Sequence, residues 1–110
     1  MKISVILGHP YEKSLNAAIA ETVRKILQEN GYQVCFHDLY KEKFNPVISG
    51  QELVTDVPED ELTRLHQREI READGIIIVH PNWWGQPPAM LKGWVDRVLR
   101  EEVAYTFPEG

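Results

Sequence analysis

Two short segments concentrate the side chains able to do chemistry. The first, GHPYEKSLN from Gly8 to Asn16, presents His9, Ser14, Leu15 and Asn16 where an apolar-periodic stretch begins. Ser14 suits the N-cap of a helix. The unpaired N–H groups of a helix's first turn, together with its dipole, form a site for a phosphate. The segment lacks the lysine-ended pattern of a P-loop. It also lacks the dinucleotide fingerprint, because Gly8 is the only glycine between Met1 and Asn30. Many helices begin with serine and bind nothing, so this loop alone identifies no ligand.

The second segment, HPNWWGQPP from His80 to Pro88, is more informative. Trp83 and Trp84 are adjacent and stand beside Gly85 and three prolines, Pro81, Pro87 and Pro88. Tryptophans are commonly core or interface residues. A loop at the end of a strand is a poor place for a core pair, however. Proline and glycine fix the backbone so that its N–H groups can face a flat ring, and an indole wall supplies stacking and excludes water. A planar heteroaromatic cofactor with a phosphate tail satisfies both loops together. Flavin mononucleotide, or the flavin end of FAD, has that shape.

The remaining reactive side chains are less promising. Cys35 is the only cysteine, which excludes an internal disulfide and a multi-cysteine metal site. A phosphatase-type nucleophile needs an arginine closing its phosphate loop, and Lys41 stands there. Cys35 therefore reads as a small core side chain. Of the four histidines His9, His37, His66 and His80, only His66 has a helical neighbour of metal-binding type, Glu69. With no third ligand evident, that pair reads as a solvated helix face and no metal site is expected.

These segments need a scaffold. The chain has 110 residues, 43% hydrophobic and 26% charged, which fits one globular domain, residues 1–110. The net charge of −5 and the absence of a basic stripe argue against a nucleic-acid partner. No apolar run is long enough to span a bilayer. The N-terminus runs straight into a strand rather than a signal peptide. A lone thiol fits a reducing cytoplasm.

Ile3 to Leu7 (ISVIL) and Gly75 to Val79 (GIIIV) read as fully buried strands, whereas Val34 and Phe36 alternate with polar neighbours like a half-exposed one. Leu15, Ile19, Val23, Ile26 and Leu27 form the apolar stripe of a first helix, stopped at Asn30-Gly31. Residues 38–56 show no period and read as a long loop. Pro58, with the acids after it, opens a helix whose apolar face is Leu62, Leu65, Ile70 and Ala73. A last helix runs from about Ala89 to Arg100. The alternation predicts an α/β fold with a parallel sheet and helices on both faces. The burial pattern predicts a strand order beginning 2-1-3, which sets the loops after the first and third strands on one crevice, the ligand position of open parallel sheets.

The residues also carry a family resemblance. HPNWWGQPPAMLKGWVDRVL resembles the flavin-binding loop and following helix of the NAD(P)H:quinone oxidoreductases, the DT-diaphorase type and its bacterial relatives. GHPYEKSLN resembles their phosphate loop, and DLYKEKFNPVIS and VAYTFPEG resemble further stretches. The resemblance implies a flavodoxin-like fold. It also implies hydride transfer from NAD(P)H through FMN or FAD to a quinone or similar acceptor, and a homodimer. Some bacterial relatives serve as ancillary subunits of potassium-efflux systems.

By the same resemblance His9, Ser14, Leu15 and Asn16 hold the phosphate or ribityl chain. Pro81, Asn82, Trp83, Trp84 and Gly85 line the isoalloxazine, and Tyr105 and Phe107 belong to the substrate pocket. The family is longer, so the chain is expected to stop before the fourth strand. The family's glycine-rich flavin loop, and the Tyr and His linked to reduced flavin, find no counterpart. No catalytic acid or base can be assigned. The readings to separate are a flavin-dependent reductase, a truncated non-catalytic binding or regulatory module, and an electron-transfer flavodoxin. PNWWGQPPAMLKGW argues against the last.

Overall fold

The computed structural model describes residues 1–100 and 103–104. The elements run β1 (Lys2–Leu7), α1 (Leu15–Glu29), β2 (Gln33–Asp38), α2 (Gly50–Thr55), α3 (Glu61–Glu72), β3 (Gly75–Val79) and α4 (Ala89–Val98). The three strands are all parallel and ordered β2-β1-β3. This is the order expected from burial: continuously apolar β1 lies in the middle, where both of its faces need cover.

Register assigns each side chain to a face. Val5 pairs with Phe36 and Ile77, and Ile6 with His37 and Ile78. On one face Leu7 and Val79 pack with Ala20 of α1, joined by Ala17, Phe36 and Ile77. On the other face Ile6, Leu39 and Phe44 pack with Ile70 of α3 and with Leu91, Trp94 and Val98 of α4. Helices thus cover both faces. Ser14 caps α1, its Oγ accepting from the Ala17 N–H at 3.0 Å. Gly31, at φ +85°, lets the chain leave α1.

Several local expectations are corrected. The stretch after Asp38 contains α2, capped by the Ser49 hydroxyl, which accepts from the Glu52 N–H. Apolar periodicity missed it because the helix is inverted: Glu52 is buried while Leu53 and Val54 are exposed. The α3 helix begins after Pro58, with Asp60 as N-cap. On α1 the wide apolar stripe is not the packed side. Leu15, Ile19 and Ile26 are exposed and the sheet is met by Ala17 and Ala20, whose small side chains allow close approach.

Strand β3 is not fully buried either, with Ile76 and Ile78 exposed at 41% and 37%. Among the described residues one edge of β3 is unpaired. Cys35 is half-buried rather than core. Burial and nearby Glu69 push its thiol pKa up, away from nucleophilic use.

Helix α4 docks tightly on the segment after β2. A Cβ on Gly93 would lie 2.2 Å from the Cβ and carbonyl oxygen of Pro46. Since backbone cannot yield as a side-chain tip can, Gly93→Ala is expected to cost about 1–3 kcal/mol of stability. The measurement is the urea midpoint, and an unshifted midpoint would show that the contact relaxes freely.

Candidate functional site

The crevice is built where β1 and β3 end. The Gly8 N–H donates to the Val79 carbonyl at 2.9 Å, so the first loop leaves the sheet against the end of β3. His9 follows, and its Nδ1 accepts from the Tyr11 N–H at 3.0 Å. In the neutral ring that places the proton on Nε2, which is then free to donate. The Leu15 and Asn16 N–H groups begin α1 and have no intrahelical acceptor. The Leu15 side chain is exposed, so a role for Leu15 would be played by its backbone.

The second loop reverses sharply. Trp83 and Gln86 exchange both backbone hydrogen bonds, Trp83 N–H to Gln86 O at 2.9 Å and Gln86 N–H to Trp83 O at 3.0 Å. Between them Trp84 and Gly85 both take positive φ, +57° and +75°, the pattern of a type I′ turn. Glycine fits it freely, whereas tryptophan is uncommon there. The turn lifts the Trp84 indole fully into solvent and leaves Trp83 partly exposed; Asn82 is exposed and Pro81 half-buried. The two loops meet edge to face, with the His9 and Trp83 ring centroids 6.0 Å apart at an interplanar angle of 68°. Tyr105 and Phe107 lie outside the described residues.

The segment after β2 contributes what sequence reasoning missed. A cavity of about 320 Å³ opens between His9, Pro10, Tyr11 and Glu12 on one side and Asp38, Tyr40 and Lys41 on the other. A second, of about 470 Å³, continues past Glu12, Asp38 and Lys41 to Lys13, Ser14 and Phe36. Residues 38–41 form a turn without a motif of its own, and DLYKEKF carried only the resemblance. These cavities border the phosphate end of the crevice through His9 and Ser14, with Lys13 and Lys41 beside the carboxylates of Glu12, Glu21 and Asp38, while the Trp83–Trp84 turn stands outside them.

A family profile described as Flavodoxin-like fold matches residues 1–110. The chain belongs to the flavodoxin-like fold family. It is 42% identical to an uncharacterised NAD(P)H oxidoreductase of Haemophilus influenzae, over 96% of this chain and 54% of that protein. It is 33% identical to NAD(P)H dehydrogenase (quinone) 1 of Cavia porcellus, over 94% of this chain and 44% of that protein. Among solved structures, an NAD(P)H:quinone oxidoreductase from Methanothermobacter marburgensis superposes with a TM-score of 0.81 at 29% identity, covering 97% of this chain and 56% of that one. The flavodoxin-like chain spans about half the length of the curated relatives it matches. Among its described residues no helix is long and apolar enough to cross a membrane.

One polar cluster of this flavodoxin-like chain overturns the reading of His66 as solvated: it is 1% exposed. Its Nδ1 accepts from Trp94 Nε1–H at 2.9 Å, and its Nε2 lies 3.4 Å from Glu42. Glu42 also meets His37 Nδ1 at 2.8 Å, and Glu69 meets His37 Nε2 at 2.8 Å. The imidazoles of His37 and His66 stack at 3.8 Å. A ligand atom from each of His37, Glu42 and His66 lies within 4.8 Å of the others, close enough for a metal. The tryptophan opposes that use. Its N–H occupies Nδ1, so the proton of neutral His66 resides on Nε2, the atom a metal would need.

Burial alone would lower the His37 pKa, but the hydrogen bonds to Glu42 and Glu69 outweigh it and raise the value. At Glu42 the hydrogen bonds from His37 and His66 overcome burial and hold the carboxyl at about 2.

Proposed function

We propose that this chain supplies flavin-binding residues of an NAD(P)H:quinone oxidoreductase. The observation that carries the reading is the contact of His9 with Trp83. It joins a helix start rich in free N–H donors to an exposed aromatic turn, at the C-terminal ends of adjacent parallel strands. The bound flavin would accept hydride from NAD(P)H and deliver it to a quinone-type acceptor.

This chain's own residues bind and orient. The Leu15 and Asn16 amides, the His9 Nε2–H and the Ser14 region receive the phosphate end, whether of FMN or FAD. Pro81, Asn82, Trp83, Trp84 and Gly85 face the ring, with backbone N–H groups and indoles excluding water from one side. Residues 1–110 act as one flavodoxin-like unit in the cytoplasm, paired as a homodimer. The relatives named as oxidoreductases support this reading.

An absorption spectrum and a fluorescence titration with FMN and with FAD test it. Flavin quenching on titration is expected, and its absence with both would reject the assignment. Trp84→Ala is expected to weaken flavin binding about tenfold, the scale of one lost aromatic stacking contact. It should leave the unfolding midpoint unchanged, since the indole is fully exposed. Equal affinity in the variant and the parent would remove Trp84 from the site.

The exposed Ile76 and Ile78 favour a second reading, a binding or regulatory module whose open face takes a partner. Flavin binding without NADH-to-menadione turnover would favour the module.

A further inference from the structure

The cluster around His37 adjoins the turn that walls the cavity beside His9. His37 is the penultimate residue of β2, and the turn it leads into carries Asp38, Tyr40 and Lys41 to the cavity wall. Its ring lies between two carboxylates on different elements. Nδ1 is 2.8 Å from Glu42 in the turn, and Nε2 is 2.8 Å from Glu69 on α3.

Carboxylates at these distances only accept, so both ring nitrogens must donate, which only the imidazolium can do. The neutral ring has one N–H and would turn a lone pair toward one of the two carboxylates. That carboxylate must then swing toward water. The turn's backbone is already closed locally, Glu42 N–H to Asp38 O at 3.0 Å and Phe44 N–H to Leu39 O at 3.0 Å. Leu39 and Phe44 anchor the turn in the core, and the Leu39 N–H donates to the Leu7 carbonyl at 3.0 Å; the Glu42 side chain adds a polar tie, to β2 through His37 and to α3 through His66.

We propose that His37 is a positioning residue which, as an imidazolium clasped by Glu42 and Glu69, holds the Asp38–Lys41 wall of the cavity beside His9 and Ser14, where the flavin's phosphate end would lie, and makes flavin retention depend on its proton. The proposal rests on the flavin reading. The groups facing the ring are Glu42 from the turn, Glu69 and His66 from α3, and Cys35, beside Glu69, on its own strand. Further down the sheet Lys2 of β1 pairs with Glu72.

The sign follows from the raised folded-state value. The clasp is complete below the ordinary imidazole pKa of about 6.5 and is lost as pH climbs through the higher folded value. Flavin is therefore held most tightly on the acid side and released toward alkaline pH.

The test measures FMN dissociation constants by flavin fluorescence between about pH 6.5 and 9, in the parent and in His37→Gln. In parallel, NMR follows the His37 ring and the Tyr40, Lys41 and Glu42 amides of the flavin-free protein. The parent constant is expected to rise on the order of fivefold, the ratio produced by losing one modest hydrogen bond. The glutamine variant should give a flat curve. The three amides should titrate with the midpoint of the ring. A variant curve that parallels the parent's overturns the proposal. So do turn amides that ignore the ring's titration, a result that stands even if His37→Gln does not fold. A parent that binds no FMN at any pH rejects the flavin reading, while the amide titration still decides whether His37 sets the turn.

Discussion

Replacing Arg97 with alanine is expected to remove about 3–5 kcal/mol of stability, the cost of leaving a buried charge without its partner. Against a total of about 5–15 kcal/mol for a domain of ordinary stability, the loss is a large fraction of what holds the chain folded. Arg97 is 3% exposed and Glu52, facing it, is 1% exposed. The guanidinium meets Glu52 with two nitrogens, at 3.2 and 2.7 Å, and reaches Asp60 at 2.5 Å and the Asn45 carbonyl at 2.7 Å. One side chain of α4 thus fixes α2, the start of α3 and the loop between β2 and α2.

Hydrogen bonds from Thr63 and from Arg97 overcome burial at Asp60 and hold its carboxyl at about 2. In Arg97→Ala the Glu52 carboxylate has only Arg100 left, at 3.8 Å, and must ionise unpaired or take up a proton. Circular dichroism with urea titration measures the loss. Glu52→Gln in the Arg97→Ala background should recover part of it, because the stranded charge is then gone. A single variant within about 1 kcal/mol of the parent would reduce the pair to the scale of a surface salt bridge.

Legibility in the sequence followed the chemistry of burial. ISVIL announced a central strand because both its faces are covered by hydrocarbon, and the 2-1-3 order followed from it. Ser14 and Gly31 announced the ends of α1 because caps act locally. The two loops of the crevice were legible because their residue types are unusual for loops.

What escaped was packing done by polar side chains. Glu52 turns inward to meet Arg97, so the short α2 shows its apolar residues to solvent and reads as a loop. His66 turns inward to meet Trp94 and reads as a surface residue. Thr63 and Gln67, on the same helix, are also buried, and Gln67 donates to the Arg97 carbonyl at 2.9 Å. For Glu52, His66 and Gln67 the partner lies more than two dozen residues away, beyond any local period. The cavity wall at Asp38 to Lys41 escaped for a related reason: beside the buried Leu39 and Phe44, its turn is tied by Glu42 reaching two histidines, which no spacing rule describes.

Trp94→Ala should unfold the chain more completely than any change in the crevice. The indole is fully buried between α3 and α4 and is the largest of the core side chains. Truncating a buried tryptophan typically costs about 3–5 kcal/mol. A further loss of about 1–3 kcal/mol comes from an acceptor left unpaired, here His66 Nδ1. Phenylalanine separates the two contributions. Trp94→Phe keeps much of the volume and removes the donor, so its cost should fall well below that of Trp94→Ala and no lower than the second figure. His66 would then be free to change tautomer, because nothing would occupy Nδ1, and its ring nitrogen shifts should show it. The contrast with Trp84 is set by position, since the same side chain exposed on a strained turn carries no folding energy. If Trp94→Phe unfolds at the parent's urea midpoint with unchanged His66 shifts, the indole N–H contributes nothing and the helix pair is held by shape alone.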